Sequence, residues 1–302
     1  MEVDAPLEEK PPTRVHERRQ RLRKGLYLLP SAFTAANVGM GYYAVMAALR
    51  GFQLLHGGTE ATAQELAGAT AHFDNAGRAM GWAILFDTLD GRIARLTKTT
   101  TEIGIQFDSI ADVLTFGIAP AVLVYAWGYG ATFPDGSPAH QLGWFLSFMF
   151  LLCGAFRLAR FNVQATRPRT LAEGTAKVDK KSFVGLPIPA AAGLIAAIVH
   201  FAPQPLSSYG GQLSSLYCGL LMALIAILSA LMVSTIRYSS FKALGVGRRS
   251  TTKMMLMLAA AGMLIWQFSQ YFLLIIIGSY VLHGIVFRMV SFVRARVQSS
   301  KN

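Results

Sequence analysis

The sequence predicts an all-α fold, a polytopic integral-membrane helical bundle with about eight transmembrane helices. Three observations lead there. Hydrophobic residues make up 53% of the 302 and charged residues 15%, too apolar a balance for most soluble domains. Apolar runs near twenty residues recur, the length that carries a helix across about 30 Å of hydrocarbon. Of the 28 Lys and Arg residues, 26 gather in alternate connections between these runs, and only Arg50 and Arg78 fall on the other side.

Taken in order, residues 1–13 are acidic and proline-containing and read as disordered. Residues 14–24, RVHERRQRLRK, are basic and suit a short helix on anionic headgroups, anchoring the N-terminus. Eight apolar segments follow at 26–49, 78–97, 105–129, 141–161, 184–203, 213–235, 253–269 and 271–291. The connection 51–77 is alanine-rich, with a small surface helix expected at 61–73 and no chemistry expected of His56 or His72. A turn at Gln267–Gln270 divides the last two segments; a single kinked helix there would make seven.

The basic residues lie in the N-terminal tail, at 92–98, 157–181 and 237–253, and in the C-terminal tail. That bias puts both termini in the cytoplasm. The net charge of +12 therefore reads as topology and lipid-headgroup attraction, and no nucleic-acid partner is expected. Cys153 and Cys218 sit inside apolar segments and read as packing residues. The charged start lacks an apolar core, so no cleavable signal is expected, and no glycine follows Met1 for myristoylation.

Chemistry concentrates in residues 87–112, DTLDGRIARLTKTTTEIGIQFDSIAD. Asp87 and Asp90 are three apart and Asp108 and Asp112 four apart, so each pair shares a helix face. The polar LTKTTTEIG between them reads as a turn joining two antiparallel helices. Four carboxylates beside a membrane are costly unless paired, hydrated or bound to a cation. Their hard oxygens suit Mg²⁺ or Mn²⁺. Gly91 and Gly104 leave the backbone open beside the acids, and Arg95 adds a fixed cation suited to phosphate. Together these features suggest phosphoryl-type chemistry on a nucleotide-activated substrate.

Further candidates lie outside this stretch. Thr34 and Asn37 share a face of the first span, and either bond a neighbouring helix or line a nucleotide pocket. In RLARFN, Arg157 and Arg160 share a face at the end of the fourth span, with Asn162 just beyond. They serve either as anchoring charge or as receptors for a substrate anion. In FVGLPIP, Gly185, Pro187 and Pro189 force a shaped, rigid entry into the fifth span. LMVSTIRYSSFK closes the sixth.

The spacing Asp87-x2-Asp90-Gly91-x2-Ala94-Arg95-x8-Gly104-x3-Asp108-x3-Asp112 resembles, without a departure, the signature of the CDP-alcohol phosphatidyltransferase family. With average residue usage, a chance match in such a chain is on the order of 10⁻⁷. RLARFN, FVGLPIP, LMVSTIRYSSFK and DSIADVLTFGIAPA are similar to the serine-using membrane branch of that family in bacteria and archaea. The resemblance covers roughly residues 26–245; a basic tail 1–25 precedes it, and 246–302 adds two spans and a basic tail.

The resemblance implies a six-helix catalytic core open sideways to lipid, usually in a homodimer, in a bacterial or archaeal cell membrane. It implies transfer of the phosphatidyl group from CDP-diacylglycerol to L-serine, at a site facing the cytoplasm. One or two divalent ions would rest on Asp87, Asp90, Asp108 and Asp112. Cytidine would lie against Gly91, Ala94 and Gly104, and Arg95, Thr34 and Asn37 would belong to the same donor site. Arg157, Arg160 and Asn162 would receive serine or phosphate. Asp112 is the best candidate for general base by resemblance, although a loosely bound acid suits that role and the spacing alone does not choose among the four. Glycerol 3-phosphate or inositol as acceptor, and a cation transporter using the acids as an ion path, are the rival readings.

Overall fold

Seven helices make up the bundle among the described residues. The structure, a computed structural model, describes residues 14–56, 61–97, 102–166, 182–234, 236–239, 263–264 and 267–284. The expected tail 1–13, the basic loop 167–181 and most of the expected span 253–269 lie outside them.

Helix α1 is a single element, Arg14–Leu55. The expected surface helix at 14–24 and the span at 26–49 are therefore one helix; Arg, Gln, Leu and Lys all favour continuing it. Helix α2, Ala63–Thr97, also exceeds its expected 78–97. Most of the expected connection 51–77 is helical, for two reasons. Its alanines favour helix, and Thr62 with Glu65 forms a capping box. The Thr62 backbone N–H donates to Glu65 Oε2 (2.8 Å), and the Glu65 N–H donates to Thr62 Oγ1 (3.2 Å). The bond from the Thr62 backbone, followed by that from its hydroxyl, holds the Glu65 carboxyl below its ordinary value.

Helix α3 spans Glu102–Tyr129. Two stretches of it are π-helical, Val113–Ile118 and Tyr125–Tyr129. Helices α4, Pro138–Thr166, and α6, Gly211–Val233, are long and regular. Helix α5, Ile188–Phe201, has only 14 residues, about 21 Å, and is shorter than the expected 184–203. Pro187 and Pro189 keep the helix from starting earlier, and 184–187 is non-helical instead. Helix α7 runs over 267–284, so the expected turn at Gln267–Gln270 is helical. Those four residues include neither Gly nor Pro, so nothing in them breaks a helix.

Close approach is the rule between helices. A Cβ on Gly41 would lie 2.9 Å from the Thr115 Cα, so α1 and α3 touch backbone to side-chain stem. Gly77 of α2 faces the Ala196 carbonyl of α5 at a comparable 3.0 Å. In a membrane, where lipid tails are as apolar as leucine, such small-residue contacts supply much of the packing. Outward faces carry large apolar groups: Trp144 is 61% exposed and Leu220 59%. Helices Ala32–Leu55, Glu102–Tyr129, Pro138–Val163 and Gly211–Val233 are each long and apolar enough to cross a bilayer. This is an integral-membrane, all-α architecture. Cys153 and Cys218 are free thiols, the first half-buried and the second buried, as packing residues should be.

One short non-helical motif closes an end of the bundle. Strand β1, Ser182–Val184, pairs antiparallel with β2, Arg237–Ser239, placing Phe183 opposite Tyr238. The Gly185 N–H then donates to the Ile236 carbonyl (2.8 Å), and the Leu186 N–H to that of Leu231 (3.0 Å). Thus the FVGLPIP and LMVSTIRYSSFK segments lie against each other. Extended backbone survives here because each of these donors has a partner.

Gly185 sits at φ +81°, and a Cβ there would lie 2.5 Å from the Met232 carbonyl oxygen. Gly185→Ala should therefore destabilise the protein by about 1–3 kcal/mol. Thermal unfolding in detergent checks this, and an unchanged midpoint would contradict it.

Candidate active site

The site begins with two antiparallel helices that bring their acids to one level. Asp87 and Asp90 lie one turn apart near the end of α2, and Asp108 lies in the second turn of α3. The connection between the helices is only 98–101, so the two acidic faces cannot separate far. One oxygen from each of Asp87, Asp90 and Asp108 lies within 4.8 Å of the others. Two unit charges at that distance repel by about 3 kcal/mol at an effective dielectric of about 20. Helix α1 reinforces the convergence, since the Thr34 hydroxyl donates to Asp90 Oδ2 (2.9 Å), with both residues buried.

A hard divalent cation fits this donor set. Oxygens on opposite sides of an ion with 2.1 Å bonds lie about 4.2 Å apart, close to the observed spread. Asp108 Oδ1 is also buried without a hydrogen-bond partner, as is Asp112 Oδ1. Asp112 is one turn further along α3 and is not among the three converging acids. It lines the adjoining cavity instead.

That cavity holds about 340 Å³ and is lined by Asp87, Asp108, Asp112, Arg157, Asn162 and Pro189, among others. Arg157 is buried, and its Nε has no hydrogen-bond partner. The neighbouring arginine takes another course. Arg160 Nη1 donates to the Val233 carbonyl at the end of α6 (3.4 Å), where a cation meets the negative end of the helix. The Asn162 amide donates to Ser109 Oγ (2.8 Å), tying the end of α4 to the start of α3. An acid-rich wall thus faces a guanidinium across a space large enough for a small zwitterion or part of a diphosphate.

The remaining candidates sit around this centre. Gly91, Ala94 and Arg95 follow the α2 acids, and Gly104 precedes those of α3; none of the four lines the cavity. Arg95 is exposed and folds back, its Nε donating to the Gly91 carbonyl (2.6 Å). Thr34 makes the interhelical bond that was one of its two readings. Asn37 is fully buried, and its amide atoms have no partner. Its main-chain carbonyl accepts from Thr115 Oγ1 (3.2 Å).

Ser109, Leu158, Phe161 and Ile188 line the cavity without having been singled out from sequence. Ser109 follows Asp108 directly and falls within DSIADVLTFGIAPA, which are its signals. Asp74 and His200 were also missed. His200 Nδ1 meets Asp74 Oδ1, and its Nε2 meets Ser269 Oγ at 2.8 Å. Asp74 also pairs with Arg78 at 2.9 Å. This cluster lies more than three turns up α2 from the carboxylates.

The family model for CDP-alcohol phosphatidyltransferases matches residues 27–218. The CDP-diacylglycerol–serine O-phosphatidyltransferase of Helicobacter pylori is 34% identical over 223 residues, covering 72% of this chain and 74% of that protein. The protein of the same name from Methanocaldococcus jannaschii is 36% identical over 160 residues, 53% of this chain and 61% of its own. An archaetidylserine synthase from Methanothermobacter thermautotrophicus is 33% identical over 165 residues, 54% of this chain and 57% of its own.

Removing the Thr34 hydroxyl leaves a buried oxygen of Asp90 without its donor. Thr34→Val should cost about 1–3 kcal/mol, whereas Thr34→Ser should retain most of the stability. Unfolding midpoints of the two variants check this; equal midpoints would show that the bond carries nothing.

Proposed function

The chain belongs to the CDP-alcohol phosphatidyltransferase family, and we propose that it makes phosphatidylserine and CMP from CDP-diacylglycerol and L-serine. The observation that carries this reading is the cavity in which Asp108 and Asp112 face the buried Arg157. It places opposite charges around a space of about 340 Å³, room enough for a small amino acid. The relatives named for serine transfer favour the same acceptor.

In this reading Asp87, Asp90 and Asp108 hold the metal, with Asp112 at the edge of the same site. Mg²⁺ or Mn²⁺ bound there would supply positive charge against the diphosphate and the departing CMP. CDP-diacylglycerol enters from the bilayer, keeping its acyl chains against the apolar exterior. Its cytidine lies toward Gly91, Ala94 and Gly104, where side chains are small or absent, with Arg95 beside the phosphates. Thr34 supports Asp90 from behind, and the buried Asn37 amide lies one turn further along α1.

Serine enters the cavity with its carboxylate toward Arg157 and its ammonium toward the acids. Asn162, held by Ser109, borders the same space. The serine hydroxyl oxygen attacks the phosphorus that carries diacylglycerol. The bond from that phosphorus to the oxygen of CMP breaks, CMP leaves with the electron pair, and the hydroxyl proton passes to a carboxylate. Asp112 suits that last role because it stands apart from the three converging acids and is less committed to a cation. Arg157 is favoured over Arg160 for the anion, since Arg160 is turned to the end of α6.

The charge bias supports a cytoplasmic active site, with both termini on the same side. The family resemblance adds a homodimer, which cross-linking in native membranes would detect as a doubled mass.

Asp87→Asn, Asp90→Asn, Asp108→Asn and Asp112→Asn should each remove most CMP release while the protein still inserts and folds. A chelator should do the same to wild type; full activity in chelator would overturn the metal assignment. Arg157→Lys should raise the serine requirement about ten- to a hundredfold, and Arg160→Lys much less. If only the requirement for CDP-diacylglycerol rises, Arg157 receives the diphosphate instead. Wild type that uses glycerol 3-phosphate or inositol but not serine would leave the family and remove the acceptor.

For orientation, single cysteines in a background lacking Cys153 and Cys218 give the test. Position 135 should label from outside intact cells and position 102 should not; the reverse pattern would invert the topology.

A further inference from the structure

Ser109 borders the cavity together with Asp108 and Asp112, the acids on either side of it along α3, yet it carries no charge. Its hydroxyl makes two hydrogen bonds. It donates to the Ile105 carbonyl one turn back (3.0 Å), and it accepts from the Asn162 side-chain nitrogen of α4 (2.8 Å). Asn162 lines the same cavity, as does Arg157 from the same helix. Ser109 and Asn162 are both half-buried.

The bond between them has a fixed direction. A hydroxyl carries one proton, and that of Ser109 goes to Ile105, so only its lone pairs face α4. Those lone pairs attract the nitrogen of the Asn162 amide and repel its oxygen. The two ends of an amide are nearly the same size, so shape alone does not choose between them. Ser109 makes the choice: the nitrogen turns to α3, and the oxygen lies on the other branch of the side chain. An amide oxygen is a neutral acceptor with two lone pairs.

The surrounding charges give such an acceptor a use. Asp87, Asp90 and Asp108 converge on one point, where a hard cation would occupy their oxygens. The guanidinium of Arg157 has donors only. An amino-acid acceptor brings an ammonium with three N–H donors, and it needs oxygens that a metal does not already hold. An amide oxygen fixed at the cavity wall supplies one without adding negative charge beside the carboxylates.

We propose that the Asn162 side-chain oxygen receives an N–H of the acceptor's ammonium, and that Ser109 is the positioning residue that keeps that oxygen turned to the cavity. The inference rests on the serine-transfer reading above and deepens it. The Ser109–Asn162 pair selects an acceptor that bears an ammonium, while Arg157 selects its carboxylate.

The test measures CMP release by full-length wild type, Ser109→Ala, Ser109→Thr, Asn162→Leu and the Ser109→Ala/Asn162→Leu double variant. L-serine and CDP-diacylglycerol are varied in turn. 3-Hydroxypropionate, which keeps the hydroxyl and carboxylate of L-serine but lacks the ammonium, is the comparison acceptor, read as a competitor where it is not turned over. Asn162→Leu should raise KM for L-serine about ten- to a hundredfold and leave that for CDP-diacylglycerol and the affinity for 3-hydroxypropionate unchanged. Ser109→Ala should raise KM for L-serine about two- to tenfold, and Ser109→Thr, which restores a hydroxyl, should recover most of it. The double variant should match Asn162→Leu alone, because Ser109 acts through that side chain. Asn162→Ala takes the place of Asn162→Leu if the larger side chain prevents insertion. An unchanged KM for L-serine in Ser109→Ala, with or without a lowered unfolding midpoint, would make the bond a packing tie and overturn the proposal. Multiplying effects, or equal losses toward L-serine and 3-hydroxypropionate, would overturn it too. Wild type that releases no CMP with L-serine would instead overturn the functional reading, and this inference with it.

Discussion

Three carboxylates forced within 4.8 Å of one another set the terms for the rest of the molecule. Left alone they would repel, and the end of a membrane bundle is a poor place to solvate them. Their convergence persists because the backbone gives them no freedom to part. Asp87 and Asp90 share one face of α2, a connection of four residues brings Asp108 alongside, and α1 donates the Thr34 hydroxyl from behind. Small residues make that clamp tight. Gly41 admits Thr115, and Gly77 admits the backbone of α5. A carboxylate cluster of this kind carries mutual repulsion that protons or a cation would relieve, which is why its donor set fits a hard cation.

The other half of the site comes from long-range contacts. Helix α4 delivers Arg157 and Asn162 opposite the acids. The extended segment before α5, pinned by Gly185 against the end of α6, delivers Pro187, Ile188 and Pro189 to the cavity wall. The π-helical stretch Val113–Ile118 starts immediately after Asp112, and such stretches often accompany functional sites. The buried Arg157, the carboxylates and the proline-bounded segment thus border one cavity of the bundle.

Much of this was legible in the sequence because the informative contacts are local. The i, i+3 and i, i+4 spacing of the acids, the short polar turn and the glycines beside them are visible in one stretch of residues. So were the apolar segments and the constrained entry at FVGLPIP. Helix ends were less legible: the basic composition of 14–24 set it apart from the first span although the two form one helix, and the Thr62–Glu65 capping box was overlooked. Long-range pairings left no local signal. The FVGLPIP and LMVSTIRYSSFK segments both stood out, but their pairing depends on how α4 to α6 fold back. Arg157 and Arg160 share a helix face, yet one enters the cavity and the other meets the end of α6. The His200–Ser269 tie joins residues 69 apart and could not be read from either neighbourhood.

Direct cation binding tests the central claim most sharply, independently of turnover. Purified protein titrated with Mn²⁺ and followed by electron paramagnetic resonance reports bound and free ion separately. Wild type should bind Mn²⁺, competitively with Mg²⁺, and Asp87→Asn, Asp90→Asn and Asp108→Asn should each lose most of that binding while remaining folded. Mn²⁺ binding unchanged in all three variants would contradict the account.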